Sequence, residues 1–163
     1  MAAWTGPVRV VRVWVECRCG RRHFGPYGAA GLVLRDLTGR LLMTHRSELV
    51  HYGGTWSFPG GALAPGETPV EAALREVDEE IGLPPQAVEV RSTLVGLDHG
   101  VWRYTYVLAD LRPQWTDVQL NLNWETSAVA WVAPDDLAQL NLHPDLRAFL
   151  PQLHAALGET AVS

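Results

Sequence analysis

The 163 residues suffice for one globular domain and are too few for two comfortable ones, and 47% hydrophobic with 19% charged residues is the composition of an ordinary soluble fold. Every basic residue is Arg, which excludes a Walker-A lysine, a Schiff-base lysine and a lysyl-adenylate intermediate. The formal charge of −5 falls entirely between Glu67 and Glu80, where six acids stand with one Arg, while the remaining acids and arginines cancel.

That balance argues against duplex nucleic acid as the partner. The densest basic stretch, Arg9 to Arg22, reads as a solvated face with a lesser claim to be a phosphate-contacting surface. Arg9, Arg12 and Glu16 interrupt the apolar stretches near the N-terminus, so no secretory leader is expected. No apolar run approaches the ~20 residues of a membrane span. Only Cys17 and Cys19 occur, one residue apart, which is no disulfide framework. A cytoplasmic protein with no membrane partner is the expectation.

In chain order, residues 1–27 read as an N-terminal extension with a Cys-x-Cys turn, and 28–157 as the main domain. Gly28 to Arg35 is a glycine-rich entry into an apolar strand, Asp36 to Gly39 a turn, and Arg40 to His45 the returning strand of a hairpin. His51 to Gly66, rich in Gly and Pro, reads as a shaped loop with no regular element. Thr68 to Ile81 is the clearest helix. Thr68 is a good N-cap, Pro69 suits the first helical position, Glu71 completes a capping box, and Gly82 is the stop. Val70, Ala73, Leu74, Val77 and Ile81 repeat at helical spacing.

Strands are expected at Val88 to Val95, Trp102 to Leu108 and Ala128 to Val132. Asp135 to Leu140 and Pro144 to Leu157 look helical, the latter interrupted by Pro151. The order of elements says α/β or α+β, with a central helix on a mixed sheet.

At about 100° per residue, Glu80 falls about 40° to one side of Glu76 and Glu79 about 60° to the other. Three carboxylates therefore share one face, while Glu71, Asp78 and Arg75 take the outward side. Like charges at these spacings repel. A solvated acidic face would carry alternating basic residues, and here only Arg75 is present. The acids also crowd the helix's C-terminal half, where the macrodipole disfavours them. Hard divalent cations want several oxygen ligands and usually bring phosphate oxygens with them. A carboxylate cluster beside a Gly-Gly loop suits such a metal–phosphate complex.

Gly61, five residues, Glu67, seven residues, then Arg75-Glu76-Val77-Asp78-Glu79-Glu80-Ile81-Gly82-Leu83 resembles the Nudix box, with every specified position filled. Trp56-x-x-Pro59-Gly60-Gly61, the Gly-Ala-Ala-Gly strand and Trp131-Val132 extend the resemblance over roughly residues 28 to 150. It implies a Nudix fold, an α/β/α sandwich around a mixed sheet. It also implies hydrolysis of a nucleoside diphosphate linked to another moiety, dependent on Mg²⁺ or Mn²⁺. By the same resemblance Glu76, Glu79 and Glu80 hold the metal with the Gly60 carbonyl, and Arg75 orients a glutamate, Glu67 or Glu76.

The family's catalytic base varies in position, and so stays open. Glu125 and Arg46 are lesser candidates for substrate contact, Glu125 also lying where relatives carry an acid near the metals. A nucleoside triphosphate and an ADP-sugar both remain as substrate classes, and a homodimer is among the expectations. The alternative is a nucleotide-binding regulatory module of the same fold that cleaves nothing; it would be expected to lose box glutamates that are intact here.

Two further signals stand apart. Cys17, Cys19 and His23 have the flavour of a zinc site with no evident fourth ligand, for which the fold could supply His45 or His51; two ordinary thiols and a turn histidine are the competing reading. Trp102, Tyr104 and Tyr106 lie on one side of a strand and read as core before base stacking. His99, before that strand, is a turn residue that could face substrate.

Overall fold

The structure, a computed structural model, describes residues 14–17 and 19–160. Arg9, Arg12 and Arg18 of the basic stretch lie outside the described residues. Two sheets form. The smaller pairs β1 (Trp14–Glu16) with β2 (Arg22–Phe24) in antiparallel register. The larger has seven strands: β3 (Ala29–Arg35), β4 (Leu41–Arg46), β5 (Trp56–Ser57), β6 (Gly60–Ala62), β7 (Val88–Asp98), β8 (Arg103–Leu111) and β9 (Thr126–Val132). Its main path runs β5-β4-β3-β8-β7, with β6 on β3 and β9 on β4.

The sheet is mixed because β3 and β8 run parallel along their whole length, while the other pairs are antiparallel. The expected turn after β3 forms, Asp36 N–H donating to Arg40 O at 2.8 Å. The hairpin ladder itself is only Arg35 opposite Leu41. Beyond that pair the strands part, β3 to pair with β6 and β8, β4 to pair with β9. Strand β3 reads as a continuous buried run, as a strand covered on both faces must.

Helix α1 (Pro69–Ile81) lies on one face of the sheet and α2 (Pro144–Thr160) on the other. Ala72, Ala73, Val77 and Ile81 of α1 pack with Leu32, Leu34 and Val107. Leu146, Phe149, Leu150 and Leu153 of α2 pack with Val33, Met43 and Leu108. Two cores on either side of one sheet make an α/β/α sandwich of mixed α+β topology. Burying a Leu or Phe side chain is worth about 1.5–3 kcal/mol, which explains a departure from expectation in α2. Pro151 stands inside that helix without ending it. The hydrogen bond it removes costs about 3 kcal/mol, and the buried residues on both sides of it hold the helix straight through.

The loop reading of His51 to Gly66 is corrected in part: β5 and β6 are short strands within it. Each takes its partner from a distant strand, and the segment's own sequence carries no period. Where a helix is expected over Asp135 to Leu140, Pro134–Gln139 form a 3₁₀ helix capped by no side chain. No described helix is long and apolar enough to cross a membrane.

Candidate active site

Helix α1 begins as its sequence dictates. Thr68 Oγ1 accepts from Glu71 N–H at 3.2 Å, and Glu71 Oε2 from Thr68 N–H at 2.9 Å, closing the capping box. It ends at Gly82, whose φ of 72° is left-handed and favours glycine. Between these ends the helix carries its acids over β6. Main-chain N–H groups also dock onto its last turn, Asn121 donating to Ile81 O and Asn123 to Glu80 O, both at 2.8 Å. That contact brings the segment before Glu125 to the end of α1.

Arg75 organises the cluster, and its position corrects the helical-wheel expectation that it faces outward. Its guanidinium folds back over the loop before the helix. Nε and Nη2 donate to the two oxygens of Glu67 at 2.8 and 2.9 Å, Nη1 to Glu76 Oε1 at 2.8 Å and more weakly to Glu79 Oε2 at 3.4 Å, and Nη2 to Ala62 O at 3.0 Å. A planar fork that meets a carboxylate bidentately can do this, and an ammonium cannot. Glu67 Oε1 also accepts from Ala64 N–H at 2.9 Å, so the loop is tied to the helix through one carboxylate. The Arg75 bonds, with that amide, hold Glu67 below the usual carboxylate range.

The glutamates on the inner face are strained in the opposite sense. Glu80 is only 7% exposed, and its Oε2 accepts from Gly60 N–H at 3.3 Å. Burial first, then the negative charges of Glu76 and Glu125, push its carboxyl up to about 8; the Gly60 amide and Arg46 oppose this. Burial likewise raises Glu76, against the pull of Arg75. Glu76 packs so closely on β6 that a Cβ at Gly61 would stand 2.5 Å from its carboxyl carbon. Gly61 thus makes room for Glu76, while Gly60 lets β6 close on β3, where a Cβ would strike Ala30 O and Gly31.

The sequence-derived residues are thus gathered unequally. Glu67, Arg75, Glu76 and Glu79 form one bonded network, and Glu80 with Gly60 sits against it. Glu125 and Arg46 stand within electrostatic reach of Glu80; Arg46 Nε also donates to His51 O at 2.9 Å. The carboxylates do not converge as a closed cage: among the described residues, the set of Cys, His, Asp and Glu groups whose ligand atoms lie within 4.8 Å of one another is elsewhere. Oxygen-only donors, with Glu76 and Glu80 raised in pKa by burial first and by neighbouring carboxylates second, fit a hard divalent cation, which would discharge that repulsion. The aromatic stripe proves to be core, with Trp102 and Tyr106 buried.

The comparisons agree with this geometry. The family model described as the NUDIX domain matches residues 26–153. A protein of Mycobacterium tuberculosis, named provisionally as 8-oxo-dGTP diphosphatase 3, is 41% identical over 88% of this chain and 69% of its own. A nucleoside triphosphate pyrophosphatase/Nudix hydrolase fusion protein of Bifidobacterium longum is 39% identical over 92% of this chain, which spans only 32% of the fusion's length. The crystal structure of a Nudix hydrolase from M. smegmatis, RenU, superposes with a TM-score of 0.81 at 35% identity, covering 93% of this chain and 96% of that one. With the box residues assembled on α1 and most of its length matched, the chain belongs to the NUDIX family.

Proposed function

We propose that the chain is a divalent-metal-dependent pyrophosphohydrolase that cleaves a nucleoside diphosphate linked to another moiety, with a nucleoside triphosphate as the favoured class. The observation that carries this is the crowding of carboxylates against the Gly60-Gly61 strand, where Glu80 is buried and repelled by Glu76, and Glu76, half-buried, is held by Arg75. The M. tuberculosis relative, named for a nucleoside triphosphate substrate, supports the class.

Glu76, Glu79, Glu80 and the Gly60 carbonyl would hold Mg²⁺ or Mn²⁺. When bound, such a cation neutralises the diphosphate and lowers the pKa of an attacking water. The chain's own residues do the rest. Arg75 fixes the rotamers of Glu67 and Glu76, so the ligands are preorganised. Arg46 supplies the cationic contact to phosphate, a role that in a chain without Lys falls to arginine or to main-chain amides. Glu125, Glu76 and Glu80 are the carboxylates from which the proton acceptor is drawn.

A panel of nucleoside triphosphates, ADP-sugars and dinucleoside polyphosphates, assayed with Mg²⁺ and with Mn²⁺, tests the reading. Release of a nucleoside monophosphate from one class is expected. Tight nucleotide binding with no product from any class would overturn it in favour of a non-catalytic binding module.

A further inference from the structure

We propose that Cys17, Cys19, His23 and His99 form a structural zinc site that fastens the N-terminal ribbon to the turn between β7 and β8. One ligand atom from each, two thiol sulfurs and two ring nitrogens, lies within 4.8 Å of all the others. Tetrahedral zinc, with bonds of about 2.3 Å to sulfur and about 2.0 Å to nitrogen, sets its ligands about 3.3–3.8 Å apart. No pair stands more than about 1.5 Å beyond that spacing. Cys19 Sγ and His23 Nε2 already stand 3.3 Å apart.

The surroundings fix this group in place. Cys19 N–H donates to Cys17 Sγ at 3.4 Å, the kind of outer contact that steadies a sulfur ligand. His23 is buried and lies flat between the Trp102 ring at 4.2 Å and the His99 ring at 5.0 Å. The expectation that His45 or His51 completes the motif is corrected. His45 Nδ1 is 2.6 Å from Ser127 Oγ, and His51 packs edge-on to Trp14 and Tyr52.

The ribbon also has a need for it. Among the described residues, β1 and β2 are three residues each and pair with no strand of the main sheet. A two-stranded hairpin alone is marginal in water, and the Arg21–Asp145 ion pair at 3.1 Å is exposed. Two sulfurs and two nitrogens suit zinc, where the glutamate site suits a hard cation. Four protein ligands leave no open position, so the site is structural. Binding displaces the proton of each thiol.

Elemental analysis of the full chain purified from zinc-supplemented medium tests the proposal. One zinc per chain is expected, kept in Glu80→Gln and lost in both Cys19→Ser and His99→Ala. His99→Ala keeps the fold readable, because the turn is held by main-chain bonds such as His99 N–H to Trp102 O at 2.9 Å. Cobalt(II) added to metal-free protein should give the thiolate charge-transfer and intense visible bands of a tetrahedral S₂N₂ site. Zinc well below stoichiometric, zinc retained in both variants, a cobalt spectrum without thiolate charge transfer, or a Cys17–Cys19 disulfide in the intact mass would each overturn it. Zinc content is independent of turnover, so failure here and failure of the hydrolase reading are read separately.

Discussion

The glutamate cluster on α1 and the Cys/His cluster on the ribbon are built by opposite routes. The first comes from one stretch of chain, at helical spacing, and carries more negative charge than its single arginine can balance. The second gathers four side chains from the β1–β2 ribbon and the distant β7–β8 turn, and carries little charge until its thiols lose their protons. Hard oxygen donors left open to solvent on one side suit a cation that must share its sphere with phosphate. Soft donors that fill every position suit a cation that only holds. A local pattern builds the site that turns over; a tertiary meeting builds the one that fastens.

The largest effect should come from removing charge at the first cluster. Glu80→Gln should lower kcat by on the order of 10³-fold or more under saturating Mg²⁺, with thermal midpoint unchanged or raised, since the variant also removes buried repulsion. Near-normal activity would sink the metal assignment. Next, Arg75→Ala leaves Glu67 and Glu76 half-buried without their partner and should cost about 3 kcal/mol in urea unfolding. Arg75→Lys should recover only part of this, because an ammonium cannot span the fork; full recovery would make the contact a plain charge pair.

A mercurial that captures both thiols should then release zinc and lower the thermal midpoint while kcat at 25 °C stays within about twofold, since the two clusters share no residue. Inhibition in step with zinc release would break the division between them.

The smallest effect belongs to a histidine in neither cluster. Burial holds His143 down to about 4, against an ordinary value of 6.5, with Arg46 and His51 adding to the fall and Asp145 opposing it. Between those values the unfolded chain binds a proton that the folded chain does not, so stability present above pH 6.5 is lost as pH falls towards 4. His143→Gln should flatten that part of the stability–pH curve. An unchanged slope would show that the titration lies elsewhere.

Helix α1 was legible almost residue by residue, because Thr68, Pro69, Glu71 and Gly82 act on their own neighbours and the box acids act through helical period. The reach of Arg75 was not, since a wheel gives the direction of Cα–Cβ and not the path of a long side chain folding back over a loop. β5 and β6 escaped notice because their partners are β4 and β3, far away in sequence. In the sequence His99 reads as a turn residue that could face substrate. What makes it a candidate ligand is the pairing of β7 with β8, which presents that turn to the ribbon, and no local pattern encodes such a meeting. Pro151 was read by its local rule, which the packing of α2 outweighed.

The docking of Asn121 and Asn123 onto the last turn of α1 runs entirely through peptide groups. The Asn123 side chain adds a second tie, its Oδ1 accepting from Glu125 N–H at 2.9 Å. One residue therefore both docks on the last turn of α1 and sets the main chain at Glu125. A change at Asn121 would leave that tie in place, whereas one at Asn123 would loosen Glu125 while the glutamates of α1 stay put.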